Sequence, residues 1–263
     1  MQENRINKIG AFLKEEFGSR IIKLPLDGGF TCPNRDGTKG VGGCLFCSAT
    51  GSGEFASNIP EAMRLFAEKW PKGKYIAYFQ NHTNTYAPAE VLERKFRMAL
   101  SCEKPEIIGL AIATRPDCLD EEILALLERL NKETFLWVEL GLQTIHDQTA
   151  GFLNRCYDTH VYDEAVTALT ARGIRVVTHL ILGLPKGTDE NGDAVSESRD
   201  EMLASVMHVC RAPIFGIKLH MLNVVKGSAL AVRFPHCEPF TSIDAYVDLL
   251  ASSAQLQQQA HKW

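Results

Sequence analysis

Cys32, Cys44 and Cys47 crowd into one glycine-rich stretch with the spacing C-x11-C-x2-C, whereas Cys102, Cys118, Cys156, Cys210 and Cys237 are scattered along the chain. Thiolates are soft ligands, and three on one loop can converge on a metal centre, with glycines letting the backbone wrap closely around it. A structural zinc ion is normally closed by four protein ligands. A centre held by three keeps a position for an exogenous molecule. Spacing alone admits three readings: a cubane 4Fe-4S cluster with one open iron, a zinc loop completed by His82 or Cys118, or unliganded buried thiols.

Further chemistry-bearing residues lie at the ends of, or within, short apolar runs. Gln80 and His82 follow the run at 75–79, and Thr114-Arg115-Pro116-Asp117 ends the run at 107–114. Arg115 can fork onto a carboxylate or phosphate, and Asp117 can hold that guanidinium or cap the next helix. Glu139 and Gln143 bracket Leu140-Gly141-Leu142. Lys218 and His220 stand two apart in a strand-like run, so they share a face, and a buried ammonium there needs a partner. The acidic residues Asp189, Glu190, Asp193, Glu197, Asp200 and Glu201 read as a solvated loop and helix start. The five scattered cysteines read as small core residues.

Elements that could position these groups are legible from periodicity. Residues 6–17 place Ile6, Ile9, Leu13 and Phe17 at helical spacing. Apolar runs at 21–26, 75–79, 107–114, 136–140, 176–182 and 216–222 lack in/out alternation, as strands buried on both faces do. Helical patterns at 88–101, 119–131, 162–172 and 194–209 lie between them. The expectation is an α/β fold: a partial (β/α)6 barrel in one domain over 1–263, with a short N-terminal helix and a C-terminal helix at about 243–260. In such folds chemistry collects beyond the strand C-termini, which singles out the loops at 27–53 and 183–200.

The 263 residues carry 28 Lys and Arg against 32 Asp and Glu, a net charge of −4, with 23% charged and 45% hydrophobic residues. That balance excludes a disordered polyanion or a polycationic nucleic-acid tail. No apolar run approaches the roughly 18 to 20 residues of a membrane span. The first residues mix both charge signs around no apolar core, so the reading is cytoplasmic, with thiols rather than disulfides.

The cysteine loop, with Phe46 directly before the last cysteine, resembles the cluster motif of the radical S-adenosylmethionine superfamily. Leu26-Asp-Gly-Gly-Phe-Thr-Cys-Pro-Asn-Arg-Asp-Gly-Thr resembles more narrowly the bacterial YtqA/YhcC-like subgroup, related to the radical domain of the elongator catalytic subunit. Further phrases agree in order: Tyr78-Phe79-Gln80, Ala113-Thr-Arg-Pro-Asp-Cys118, Glu139-Leu-Gly-Leu-Gln143-Thr144, His179-Leu-Ile-Leu-Gly-Leu-Pro185, and Gly216-Ile-Lys-Leu-His220 followed by Val225-Lys-Gly-Ser228.

The resemblance implies a 4Fe-4S cluster on Cys32, Cys44 and Cys47 whose open iron is chelated by S-adenosylmethionine. Reductive cleavage would release a 5′-deoxyadenosyl radical, the electron coming from an unidentified one-electron donor. It implies cofactor contacts from Phe46, Gln80, Glu139, Gln143, Gly183 and Pro185; the residues themselves add Arg115 as a cofactor-contact candidate and Lys218 and His220 as catalytic candidates, Lys218 as a contact to substrate or cofactor. Related chains carry a Gly-Leu-Pro-Gly-Glu-like turn along the adenine. This chain continues Pro185-Lys-Gly-Thr-Asp-Glu190, a lengthened turn. The implied substrate is a wobble-uridine side chain in tRNA. The competing class is a non-catalytic zinc- or cluster-binding RNA-binding or regulatory module on the same fold. The subgroup continues past the final helix, which implies a further C-terminal segment in its members.

Overall fold

A computed structural model of the chain describes residues 7–49, 51, 56–69, 73–102 and 106–260. In chain order the first half comprises α1 (Ile9–Phe17), β1 (Ile21–Asp27), β2 (Ser57–Asn58), α2 (Ile59–Lys69), β3 (Lys74–Phe79), α3 (Ala89–Leu100), β4 (Glu106–Thr114) and α4 (Glu121–Glu133). The second half comprises β5 (Phe135–Gln143), α5 (Asp147–Phe152), α6 (Thr159–Thr170), β6 (Arg175–Leu182), β7 (Pro185–Thr188), β8 (Ala194–Ser196), α7 (Arg199–Arg211), β9 (Gly216–Met221), α8 (Ala229–Arg233) and α9 (Ile243–Ala260). The main sheet runs β2-β1-β3-β4-β5-β6-β9 with every pairing parallel, and β7 and β8 form a separate antiparallel pair. The six expected strands are all present, and the two-residue β2 adds a short edge.

Both faces of the sheet are covered, which is why its strands read as continuous apolar runs. On the helix-covered face, Leu24, Tyr75, Phe79, Leu110, Leu136, Val138 and Val176 pack against Leu92, Phe96, Leu126, Leu130, Val166 and Leu169. α4 shows why a helix forms between strands: Ile123, Leu124, Leu126, Leu127 and Leu130 make one buried stripe, and Asp120 caps the helix by accepting from the Ile123 amide at 2.9 Å. On the other face Ile76, Tyr78, Ala111 and Trp137 meet Leu13 of α1, with Phe17 and Phe135 alongside. The N-terminal helix therefore plugs one side of the curved sheet. Ile6, the first residue of the expected pattern, lies outside the described residues, as do Thr50, Ser52 and Gly53 of the cysteine loop.

Several expectations are corrected. The 194–209 pattern divides: Ala194–Ser196 is a strand of the small hairpin, and the helix begins only at Arg199, where Ser198 and Glu201 form a reciprocal capping box. Glu197, in the stretch expected to be solvated, is buried and accepts from the Thr144 hydroxyl at 2.6 Å. Of the scattered cysteines, Cys118 and Cys210 are buried, Cys102 and Cys237 half-buried, and Cys156 is exposed rather than core.

Candidate active site

The cysteine loop folds back over the C-terminal ends of the strands and is tied down by amides rather than by apolar contact. Asn34 is fully buried; its Nδ2 donates to the Asn154 carbonyl and approaches Cys44 Sγ at 3.6 Å, while its Oδ1 accepts from the Cys156 thiol at 3.1 Å. Asn154 reciprocates, donating to the carbonyls of Val41 and Gly43 at 3.1 and 2.9 Å. A side chain at Gly40 would collide with Asn34 Oδ1 and lie 2.8 Å from Cys156 Sγ, so close packing requires glycine there. Leu45 closes the span, its amide donating to Leu153 at 2.9 Å and its carbonyl accepting from Leu230 at 2.7 Å. Arg35 holds the far end through the carbonyls of Ser48 and Ala49.

Below the loop opens a cleft of about 380 Å³, within the roughly 300–1,000 Å³ of small-molecule sites. Cys32, Cys44, Phe46 and Cys47 line one side, and the strand residues Tyr78, Gln80, Glu139, Gln143, His179, Lys218 and His220 line the other. All eight cysteines are free of disulfides. Three free thiols from one glycine-rich loop on a single cleft wall fit the donor set of an iron–sulfur cluster. Among the described residues no three His, Cys, Asp or Glu side chains are spaced to hold a single ion, the three loop cysteines included.

The cleft floor centres on Glu139, a carboxylate only 1% exposed. Its Oε1 accepts from Lys23 Nζ at 2.8 Å and Trp137 Nε1 at 2.9 Å. Its Oε2 accepts from the Tyr78 hydroxyl at 2.7 Å, His179 Nε2 at 2.6 Å and Lys218 Nζ at 3.3 Å. Burial alone would push this carboxyl up, but the His179 hydrogen bond and the Lys218 and Lys23 charges outweigh it and hold it well below the usual carboxylate range. Burial lowers Lys218 and His179, and burial together with the neighbouring Lys218 drives His220 down to about 4.

One wall is a stack of cations on an aromatic ring. Arg115 forks onto Asp117 through Nε at 2.9 Å and Nη2 at 2.8 Å, and Lys39 of the cysteine loop joins the same carboxylate at 2.8 Å. Asp117 thus holds Arg115, and Asp120 takes the capping role. The guanidinium carbons of Arg115 and Arg155 lie 4.8 and 4.4 Å from the Tyr157 ring centre. Arg155, itself 1% exposed, donates to the carbonyls of Leu142 and Thr144, both at 2.6 Å. These contacts hold the end of β5, where Gln143 adopts φ +63° and accepts from the Tyr157 hydroxyl at 3.2 Å.

Ten of the twelve sequence-predicted site residues line this cleft: Cys32, Cys44, Phe46, Cys47, Gln80, Arg115, Glu139, Gln143, Lys218 and His220. Gly183 and Pro185 do not. Gly183, at φ +89°, backs onto Pro239 and Phe240, where a Cβ would lie 2.6 and 2.9 Å from their side chains, and Pro185 opens the β7–β8 hairpin. Sequence reasoning missed Lys23, Tyr157 and Arg155, which carry no local motif. Tyr78 and His179 stood inside phrases already singled out, and their alternation with Gln80 and Ile181 could have marked them as cleft-facing.

Residues 32–197 match the model of the Radical SAM superfamily. YtqA of Bacillus subtilis is 43% identical over 263 residues, covering 97% of this chain and 78% of YtqA. YhcC of Escherichia coli K12 is 38% identical over 231 residues, covering 86% of this chain and 71% of YhcC. Elongator complex protein 3 of Schizosaccharomyces pombe is 26% identical over 153 residues, covering 55% of this chain and 26% of that protein. Among solved structures, Escherichia coli coproporphyrinogen III oxidase (HemN), described as a radical SAM enzyme, superposes with a TM-score of 0.59 at 15% identity. That superposition spans 91% of this chain and 52% of HemN, a likeness of fold. With its cysteine loop over a parallel half-barrel, the chain belongs to the radical SAM superfamily and, within it, to the family of YtqA and YhcC.

Proposed function

We propose that this radical SAM enzyme holds a 4Fe-4S cluster on Cys32, Cys44 and Cys47, takes S-adenosylmethionine into the same cleft, and modifies a wobble-uridine side chain of tRNA. The observation that carries the reading is the convergence of three free thiols and a polar strand floor on one cleft. When bound, such a cluster supplies the electron that cleaves the sulfonium reductively.

This chain's residues supply position and electrostatics. Gln80, Gln143 and Phe46 are the groups to orient the nucleoside cofactor near the thiols. The Arg115–Asp117–Lys39 clamp keeps the loop registered on β4. Glu139, ionised and shared among five donors, sets the orientation of Lys218 and His179 beneath them. Eight cysteines with no disulfide among them suit a reducing, cytoplasmic setting. The tRNA substrate is supported by the similarity to Elongator complex protein 3.

The test has two arms. Anaerobically reconstituted protein with a strong reductant is expected to convert S-adenosylmethionine into 5′-deoxyadenosine. Mass spectrometry of bulk tRNA nucleosides is expected to show a modified uridine lost and its precursor accumulated in cells lacking the protein. An unchanged nucleoside profile would overturn the tRNA substrate, and no 5′-deoxyadenosine with the cluster intact would overturn the chemistry.

A further inference from the structure

The cleft floor carries more positive than negative charge. Lys23 on β1, next to the β2 edge and behind the cleft lining, and Lys218 on the β9 edge, within that lining, both reach the carboxylate of Glu139. Their contacts are unequal. Lys23 sits at 2.8 Å, with the Tyr78 ring 4.3 Å away, whereas Lys218 stands at 3.3 Å from Glu139 and 2.9 Å from the Tyr78 hydroxyl. An ammonium has three N–H donors, so Lys218 keeps one for a ligand in the cleft it lines. His220 lines the same floor, its ring 5.4 Å from that of His179, and makes no hydrogen bond among the described residues.

The other charged side chains around the cleft offer no counter-anion. Arg115 takes Asp117, Arg155 takes Asp147, and Arg35 donates to backbone carbonyls. Beside the two lysines burial keeps His179 and His220 neutral near pH 7, which leaves one positive charge in excess at the floor. Two ammonium groups sharing one carboxylate are only half neutralised, so an arriving anion is stabilised there.

We propose that Lys218 and His220 form an oxyanion subsite that holds a carboxylate or phosphate group of the substrate above the Glu139 network. This inference rests on the proposed function only in taking the cleft as the place where substrate enters. Lys218 donates its free N–H and the neutral imidazole of His220 donates a second hydrogen bond. Glu139 and Tyr78 position the ammonium from below.

The experiment uses cluster-loaded protein labelled with 15N-histidine, titrated separately with acetate, inorganic phosphate and, as the uncharged counterpart, acetamide. The His220 imidazole signal is assigned by its disappearance in His220→Gln. Acetate or phosphate is expected to shift that signal saturably while acetamide leaves it in place, and whichever anion binds more tightly identifies the substrate group. Lys218→Met should weaken the anion at least about tenfold and Lys218→Arg should restore it. Saturating S-adenosylmethionine should leave the binding in place. Absence of any saturable shift, equal binding to Lys218→Met, or displacement of both anions by S-adenosylmethionine would overturn the subsite, the last by assigning these groups to the cofactor's own carboxylate. The titration is independent of radical chemistry: 5′-deoxyadenosine formation without anion uptake sinks the subsite alone, and anion uptake without cleavage supports the subsite while sinking the radical reading.

Discussion

At the scale of single residues, Glu139 organises the site. One carboxylate with five donors is a fully satisfied buried network, and removing its charge leaves Lys23 and Lys218 facing each other without an anion. Glu139→Gln is expected to destabilise the fold by about 3 kcal/mol near pH 7, measured by urea unfolding. The pH dependence follows from the lowered pKa. The stabilisation is fully present above the ordinary glutamate value near ~4.3 and is lost as pH falls through the depressed folded value. The wild-type advantage over Glu139→Gln should therefore shrink in acid, and a penalty that stays constant to pH 2 would contradict a charge-based role. Glu139, Lys218 and His220 were legible because polar groups in apolar strands have few reasons to be there. Lys23 was not: its partner lies 116 residues away in sequence, and only the curvature of the sheet brings them together.

At the scale of elements, the cysteine loop is held by hydrogen bonds from outside itself. Asn34 donates to the Asn154 carbonyl across 120 residues, Asn154 donates back to Val41 of the loop, and Lys39 reaches Asp117 on the β4–α4 connection. Asn34→Ala should take from the Asn154 carbonyl its amide donor and from the Cys156 thiol its shortest contact, costing about 2 kcal/mol. It should also lower the iron retained per chain after gel filtration; unchanged iron retention would show that the loop holds its shape without this anchor. The spacing of the cysteines was visible in the sequence, but the anchoring was not, because Asn154 and Cys156 sit at positive φ after a short helix with no motif to announce them. The same limit explains the β7–β8 hairpin. The acidic residues from Asp189 to Glu201 suggested a solvated loop and helix start; Asp200 and Glu201 do open α7, with Glu201 in its capping box and paired with Lys186, but Glu197 turns inward to Thr144.

For the whole molecule, the architecture follows from strands buried on both faces with helices between them, and that pattern is local enough to read directly. The non-local part is the plug. α1 sends Leu13, 3% exposed, against Ile76, Tyr78, Ala111 and Trp137, directly beneath the charged floor. Leu13→Ala should cost about 3 kcal/mol in unfolding free energy and, by opening space under Trp137, disturb the indole hydrogen bond to Glu139. A loss below ~0.5 kcal/mol would mean that the helix does not close the barrel. Among the described residues no helix is long and apolar enough to cross a membrane.

If Cys32, Cys44 and Cys47 hold a cluster as proposed, one of its metal positions is kept for a nucleoside. The most direct measurement is electron paramagnetic resonance of anaerobically reconstituted, reduced protein, with iron and sulfide analysis, before and after adding S-adenosylmethionine. About four irons per chain and a cluster signal that changes shape on addition are expected, both lost in Cys32→Ala, Cys44→Ala and Cys47→Ala. A saturated mononuclear ion in the loop, or a cluster signal indifferent to S-adenosylmethionine, would contradict it.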